Sequence, residues 1–276
     1  MWRRIKLSYL FLAVCISGTL TGIATAAASP TGLTVDQIIE KNIAARGGLK
    51  AWHDIQTMTM SGKMDAGGKN NAQLPFVMKL KRPRMSRLEL QFQGKTAIQV
   101  YNGENGWKVR PFLGRLEVEP YSAAELQIAA DEQELDGPLI DHEAKGTRVE
   151  LVGEEPVEGH DAYKLKLTMK NGDVRHLWVD GQSFLEVKIE GAPRKLNGKF
   201  HNVEIYYRDY RSTGGLKIPY LLETMVEKIK PSRKIAIESV LLNPKLEGSA
   251  FAKPEISGAS PVATLQGSSA KAQIGN

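Results

Sequence analysis

The chain has 276 residues, 37 Lys or Arg against 31 Asp or Glu, a formal net charge of +6 and a single cysteine. One cysteine excludes an internal disulfide framework and any multi-cysteine metal site. The basic excess is small and interspersed, which gives no support to a nucleic-acid role.

The N-terminus carries Arg3, Arg4 and Lys6, an apolar run from Leu7 to about Leu20, and the small-residue stretch Ile23-Ala24-Thr25-Ala26-Ala27-Ala28. A basic region, an apolar region and an A-x-A site in that order predict a secretory signal peptide over residues 1–28, cleaved after Ala26 or Ala28. The apolar run is short for a membrane span. Val14 before Cys15 is a poor fit to a lipoprotein signal, so a lipid-anchored product is the less favoured alternative. Removing the segment takes three cations and no anions, leaving 34 basic residues against 31 acidic, a net of +3. An exported protein has no ATP pool, which argues against nucleotide-dependent chemistry.

Thr34 and Gln37 form a capping-box pair, and Val35, Ile38, Ile39 and Ile43 follow helical spacing up to Gly47-Gly48. From about Ile55 the period changes to two. Met58, Met60 and Met64 share one face of a first strand. Phe76, Met78 and Leu80 share a face of the next, and Leu88, Leu90 and Phe92 one of the third. Ile98 and Val100 are read as continuing that apolar face, before a turn at Asn102–Gly106. Ser122 and Glu125 open a second helix with a thin apolar stripe of Leu126, Ala129, Ala130 and Leu135. Gly137-Pro138 then leads into a segment that begins at Leu139. Strands resume from Val149 to Leu242, with Asn171-Gly172 and Asp180-Gly181 as hairpin turns.

This order predicts a mainly β fold of the α+β type: a curved antiparallel half-barrel of about eleven strands covered by helices. The domain spans residues 29–254, and residues 255–276 form a Ser-, Ala- and Gly-rich tail predicted to be disordered. A curved sheet with helices over its apolar face encloses an apolar space. The residues predicted to line it are Met58, Met60, Met64, Phe76, Met78, Leu80, Leu88, Leu90, Phe92, Ile98 and Val100. Leu126, Ala130, Leu135 and Leu139 belong to the cover, a lid held weakly by its thin stripe. The methionines suit such a lining because their side chains are flexible and polarizable.

Catalytic signatures are incomplete. His142-Glu143 begins like a zinc-protease helix but lacks the second histidine, and the five histidines are not at ligand spacing. Gly94-Lys95-Thr96 mimics the end of a P-loop, with Glu89 where its first glycine belongs. Asp141-His142-Glu143 reads as an exposed polar turn. No G-x-S-x-G element occurs. The expectation is a non-enzyme without cofactor or metal.

Three segments resemble a known family. They are Ala44-Ala45-Arg46-Gly47-Gly48-Leu49-Lys50-Ala51-Trp52 with Ile55-Gln56-Thr57, then Gly215-Leu216-Lys217-Ile218-Pro219-Tyr220, and finally Leu242-Asn243-Pro244-Lys245-Leu246 with Phe251-Ala252-Lys253-Pro254. Together they resemble the outer-membrane lipoprotein-sorting (LolA-like) proteins, over residues 33 to 254. The resemblance implies a half-open antiparallel barrel with a helical lid over a cavity that takes acyl chains. It implies a periplasmic, monomeric carrier whose partners are lipid or lipoprotein acyl chains and an envelope membrane protein. The alternative is an envelope sensor or scaffold module of the same fold that binds a protein partner.

Overall fold

The computed structural model describes residues 32–66, 72–111, 114–132, 135–196 and 198–255. The predicted signal segment and the tail beyond Glu255 lie outside the described residues. From Thr34 onward the described residues form one compact unit.

Two helices open the body, α1 (Val35–Ala45) and α2 (Leu49–His53). The Thr34 hydroxyl accepts from the Gln37 amide while the Gln37 side chain accepts from the Thr34 amide, so the predicted capping box forms. Six strands follow in a meander: β1 (Thr57–Asp65), β2 (Gln73–Lys81), β3 (Met85–Phe92), β4 (Lys95–Tyr101), β5 (Gly106–Arg110) and β6 (Arg115–Pro120). Helix α3 (Ala123–Glu132) comes next. A second meander contains β7 (Arg148–Glu154), β8 (Ala162–Thr168), β9 (Val174–Asp180), β10 (Glu186–Leu196), β11 (Lys199–Thr213), β12 (Leu216–Val226) and β13 (Ile229–Leu242).

The two meanders join into one sheet because β13 returns to pair antiparallel with β1. The order is β6-β5-β4-β3-β2-β1-β13-β12-β11-β10-β9-β8-β7, thirteen strands and not closed. The predicted fold class is therefore the observed one, with thirteen strands where about eleven were expected, and β6 is a strand that periodicity did not reveal. Its sequence, Arg115–Pro120, alternates but is exposed at most of its positions, so no apolar face marks it.

The topology dictates where the cover must go. β6 and β7 are the opposite edges of the sheet, and residues 121–147 connect them. That connection has to pass from one edge to the other. Irregularities at Ser61/Gly62, Leu151/Gly153, Gly191/Arg194 and Thr224/Val226 bend the strands. At Gly62 a Cβ would lie 2.0 Å from the Ala236 carbonyl oxygen, so only glycine fits where β1 presses on β13.

The core lies on the concave face. Trp52, Met58, Phe76, Leu80, Ile218, Ile237 and Val240 form one buried cluster with Ile140 from the connection. In the other half of the sheet, Leu165, Leu177 and Ile189 are buried on the same face. On the outer face, Trp178 is buried with Val157 and Ala162, and the Lys188 ammonium sits 3.8 Å from its ring centroid. The chain after β13 crosses the outer face of the first meander. Lys81 donates to the Leu246 carbonyl and Arg87 to the Ala250 carbonyl, and Phe251 in a short 3-10 turn is buried.

Candidate functional site: an apolar cavity beside a buried charge cluster

A cavity of about 330 Å³ opens on the concave side of β1, β2, β3, β12 and β13, within the size range of small-ligand sites. Met58, Met60 and Met64 line it from β1, and Phe76, Met78 and Leu80 from β2. Leu88 contributes from β3. Ile218 and Leu222 of β12 and, on the strand paired with it, Ile235 and Ile237 of β13 complete this wall. All four methionines singled out from the sequence meet here. Their pairing explains why: Met58 is opposite Leu80, Met60 opposite Met78, and Phe76 opposite Leu90, so each pair shares one face.

Other expected residues lie elsewhere. Leu90 faces the concave side and packs against the core cluster, beyond the cavity lining. Phe92 is on the same face but at the exposed strand end, beside a shallow groove at the β3–β4 turn. Ile98 and Val100 require correction. Phe92 pairs directly with Lys95 across the two-residue turn Gln93-Gly94. The odd-numbered residues of β4 therefore continue the face of Leu88 and Leu90, through Gln99 and Ala97. Ile98 and Val100 pair with Glu89 and Arg87 and point to the outer face. Val100 is fully buried there, on the side crossed by the C-terminal segment.

The cover divides into two parts. α3 forms with its capping box, the Ser122 amide donating to Glu125 and the Glu125 amide to the Ser122 hydroxyl. Lys108 of β5 pairs with Glu125 and ties the helix start to the sheet. Ala129 is buried, Leu126 and Ala130 are half-buried, and Ile128 is exposed. The apolar stripe of α3 is thin, and neither Leu126 nor Ala130, expected in a lid, lines this cavity; Ile128 lines the concavity beside it. The following segment does reach the cavity. Leu135, Gly137 and Pro138 line it, while Leu139 is fully buried and does not.

A buried charge cluster clamps that second part. Arg46 Nη1 donates to the Asp136 carbonyl at 2.7 Å and lies 3.1 Å from Glu186 Oε1. The Asp136 carboxylate is 2.7 Å from both Arg82 Nη2 and Lys145 Nζ. Lys145 also donates to the Gly137 carbonyl at 2.6 Å. Arg82 reaches back to the Trp52 and Ile55 carbonyls, and the Tyr210 hydroxyl donates to Glu186. Burial pushes the Asp136 carboxyl up, but Lys145 and then Arg82 outweigh it and hold it below the usual carboxylate range. Burial and the Glu186 charge push the Tyr210 phenol well above its ordinary value. Arg46, Glu186 and Tyr210 also form the polar end of the cavity. No sequence pattern marks this cluster, because its members come from five distant stretches and follow no spacing.

A second concavity of about 520 Å³ adjoins the first, sharing Gly137, Pro138 and Tyr207 with it. Ile128 of α3 faces Leu167, Ile189, Val203 and Ile205 across this space, with Arg175 and Arg194 toward the strand ends. Sequence reasoning missed it, although those residues alternate on their strands as clearly as the first set.

Among the described residues, no group of three or more His, Cys, Asp or Glu converges as a metal site would require. Asp141 pairs with His53 at 2.7 Å, and His142 bonds the Thr147 carbonyl within its own turn. No helix among the described residues is long and apolar enough to cross a membrane.

No family model and no curated protein sequence matches the chain. Solved structures do. A LolA-superfamily protein of Nitrosomonas europaea matches with a TM-score of 0.52 at 16% identity, over 80% of this chain and 99% of that one. An outer-membrane lipoprotein-sorting protein domain of Vibrio parahaemolyticus matches with a TM-score of 0.53 at 14% identity, over 78% and 95%. The fold is LolA-like. A DUF1329-family protein of Desulfovibrio piger shares it, with a TM-score of 0.52 at 13% identity over 80% and 98%. At these identities the likeness concerns the LolA-like backbone, and side chains must be argued from this chain alone.

Proposed function

We propose that the protein is an envelope carrier that shields an acyl chain, of a lipid or a lipoprotein, in the apolar cavity beneath the 135–138 segment. The observation that carries this reading is the lining itself: four methionines with Phe76, Leu80, Leu88, Leu222, Ile235 and Ile237 around one space. Such a surface recognises hydrocarbon by removing it from water, worth about 0.8 kcal/mol for each buried CH₂. It offers flexible side chains that adapt to chain length and unsaturation. The mechanism is binding and release, with no bond made or broken. α3 and the clamped segment after it form the cover, and the Arg46–Asp136–Glu186 cluster holds the second part shut.

Export to the periplasm, by cleavage after Ala26 or Ala28, belongs to this reading, as does a monomeric working state. The LolA-like fold supports it. A test is titration with a fluorescent fatty acid. The carrier reading expects saturable binding that Met60→Asp abolishes while the circular dichroism spectrum is kept. Absence of saturable binding by the folded parent protein, together with a stable protein complex that contains no lipid, would favour the sensor or scaffold alternative.

A further inference from the structure

One end of the sheet carries the positive excess of the whole chain. The turns joining β3 to β4, β8 to β9, β10 to β11 and β12 to β13 all lie at that end. Register shows this: Phe92 pairs with Lys95, Thr168 with Val174, Leu196 with Lys199 and Val226 with Ile229, in one continuous antiparallel sheet. Helices α1 and α2 sit at the opposite end, where the Lys217 amide at the start of β12 donates to the Arg46 carbonyl. Residues 92–95, 169–175, 193–202 and 225–234 hold ten Lys or Arg and two Asp or Glu, a net of +8 where the whole chain has +6. Everything outside this rim is therefore net acidic.

The same rim is apolar. Phe92, Val174, Phe200, Met225 and Ile229 are five of the ten large apolar side chains exposed among the described residues. Phe200 is 71% exposed. The pattern interleaves the two chemistries, as Lys199-Phe200 on one hairpin and Lys228-Ile229-Lys230 on its neighbour. Apolar side chains standing among cations match the headgroup boundary of an anionic bilayer, where apolar groups sink in and cations stay with the phosphates. A dispersed charge excess would give solubility alone; its concentration around exposed apolar groups needs a further cause. The rim also borders the second concavity, since Arg175, Arg194, Val203 and Thr224 line that space.

We propose that this rim is a membrane-docking surface that seats the protein on a bilayer rich in anionic headgroups, with the mouth of the concave face toward the lipid. It extends the carrier reading, but docking and loading are separable by experiment.

The test is co-sedimentation of the full-length protein, and of variants prepared identically, with vesicles of phosphatidylcholine alone or mixed with phosphatidylglycerol. Docking predicts about tenfold or greater preference for the anionic vesicles, lost at high salt. The combined variant K195E, K199E, K228E and K230E should lose that preference, and Phe200→Ser with Ile229→Ser should weaken binding at low salt. A Phe200→Trp variant should show quenching by lipids brominated near the headgroup. These side chains are exposed, so all variants should take up the fluorescent fatty acid like the parent. Equal binding to both vesicles, or a charge-reversed variant that sediments like the parent, overturns the proposal. So does a parent protein that ignores both vesicles and instead forms a complex with an envelope protein. A parent protein that takes up the fatty acid but binds neither vesicle sinks docking alone. Vesicle binding without fatty-acid uptake sinks the carrier reading and leaves docking standing.

Discussion

At the residue scale, cavity and outer face are separated by parity, and that gives a sharp pair of substitutions. Met60 and Ile98 are both half-buried strand residues, yet only Met60 lines the cavity. Met60→Asp places a charge among hydrocarbon and should abolish fatty-acid binding. Ile98→Thr, on the outer face, should leave the affinity within about twofold of the parent, since distant sites act independently. If both substitutions weakened binding alike, the assigned lining would be wrong. Gly62 supplies a stability test: Gly62→Ala forces a Cβ to 2.0 Å from the Ala236 carbonyl. A loss of about 1–3 kcal/mol in a denaturant titration is expected, because a close-packed strand pair must move apart. The face of Met58, Met60 and Met64 was legible from alternation. That of Ile98 and Val100 was not, because a two-residue turn at Gln93-Gly94 reverses which numbers point inward.

At the element scale, the cover has two behaviours. α3 is fixed by its own cap and by Lys108–Glu125, with a narrow buried stripe. Its amides should exchange faster than those of β1, β2 and β12 and should slow when lipid is added, in a hydrogen-exchange experiment. The 135–140 stretch should instead be protected, because Asp136 is buried and bonded to two cations while Arg46 holds its carbonyl. Arg46→Met removes the partner of buried Glu186 and frees that carbonyl. Breaking such a pair costs about 3–5 kcal/mol, so exchange at 135–140 should rise selectively. The acid dependence follows from the sign of the Asp136 shift. Its folded pKa is lowered, so its stabilisation is complete above the ordinary value of 3.8 and is lost as pH falls through the lower folded value. Protection should thus be flat between neutral pH and about pH 5, and fall only in stronger acid. A loss of protection near pH 6 would point to a histidine instead. Caps and strand periods are local, so they could be read from the sequence. The clamp joins residues 46, 82, 136, 145 and 186, and only the folded sheet brings them together.

At the scale of the whole molecule, two meanders sealed by β13 on β1 leave two free edges and one long crossing between them. The half-barrel was legible because hairpin turns and alternation recur along the chain. The second concavity was not, since nothing in a strand pattern says that Val203, Ile205 and Ile128 meet across open space. The N-terminal prediction belongs to this scale as well: sequencing of protein from the envelope fraction should find Ala27 or Ser29 first, and an intact Met1 there would contradict export by cleavage. The central claim is that the covered concave face holds hydrocarbon, and native mass spectrometry of protein taken gently from cells tests it most directly. The account predicts a non-covalent adduct that organic extraction identifies as an acyl-bearing lipid or lipoprotein fragment and that is absent from Met60→Asp. A folded parent protein that carries no adduct, and that takes none up when mixed with fatty acid or phospholipid, would contradict it.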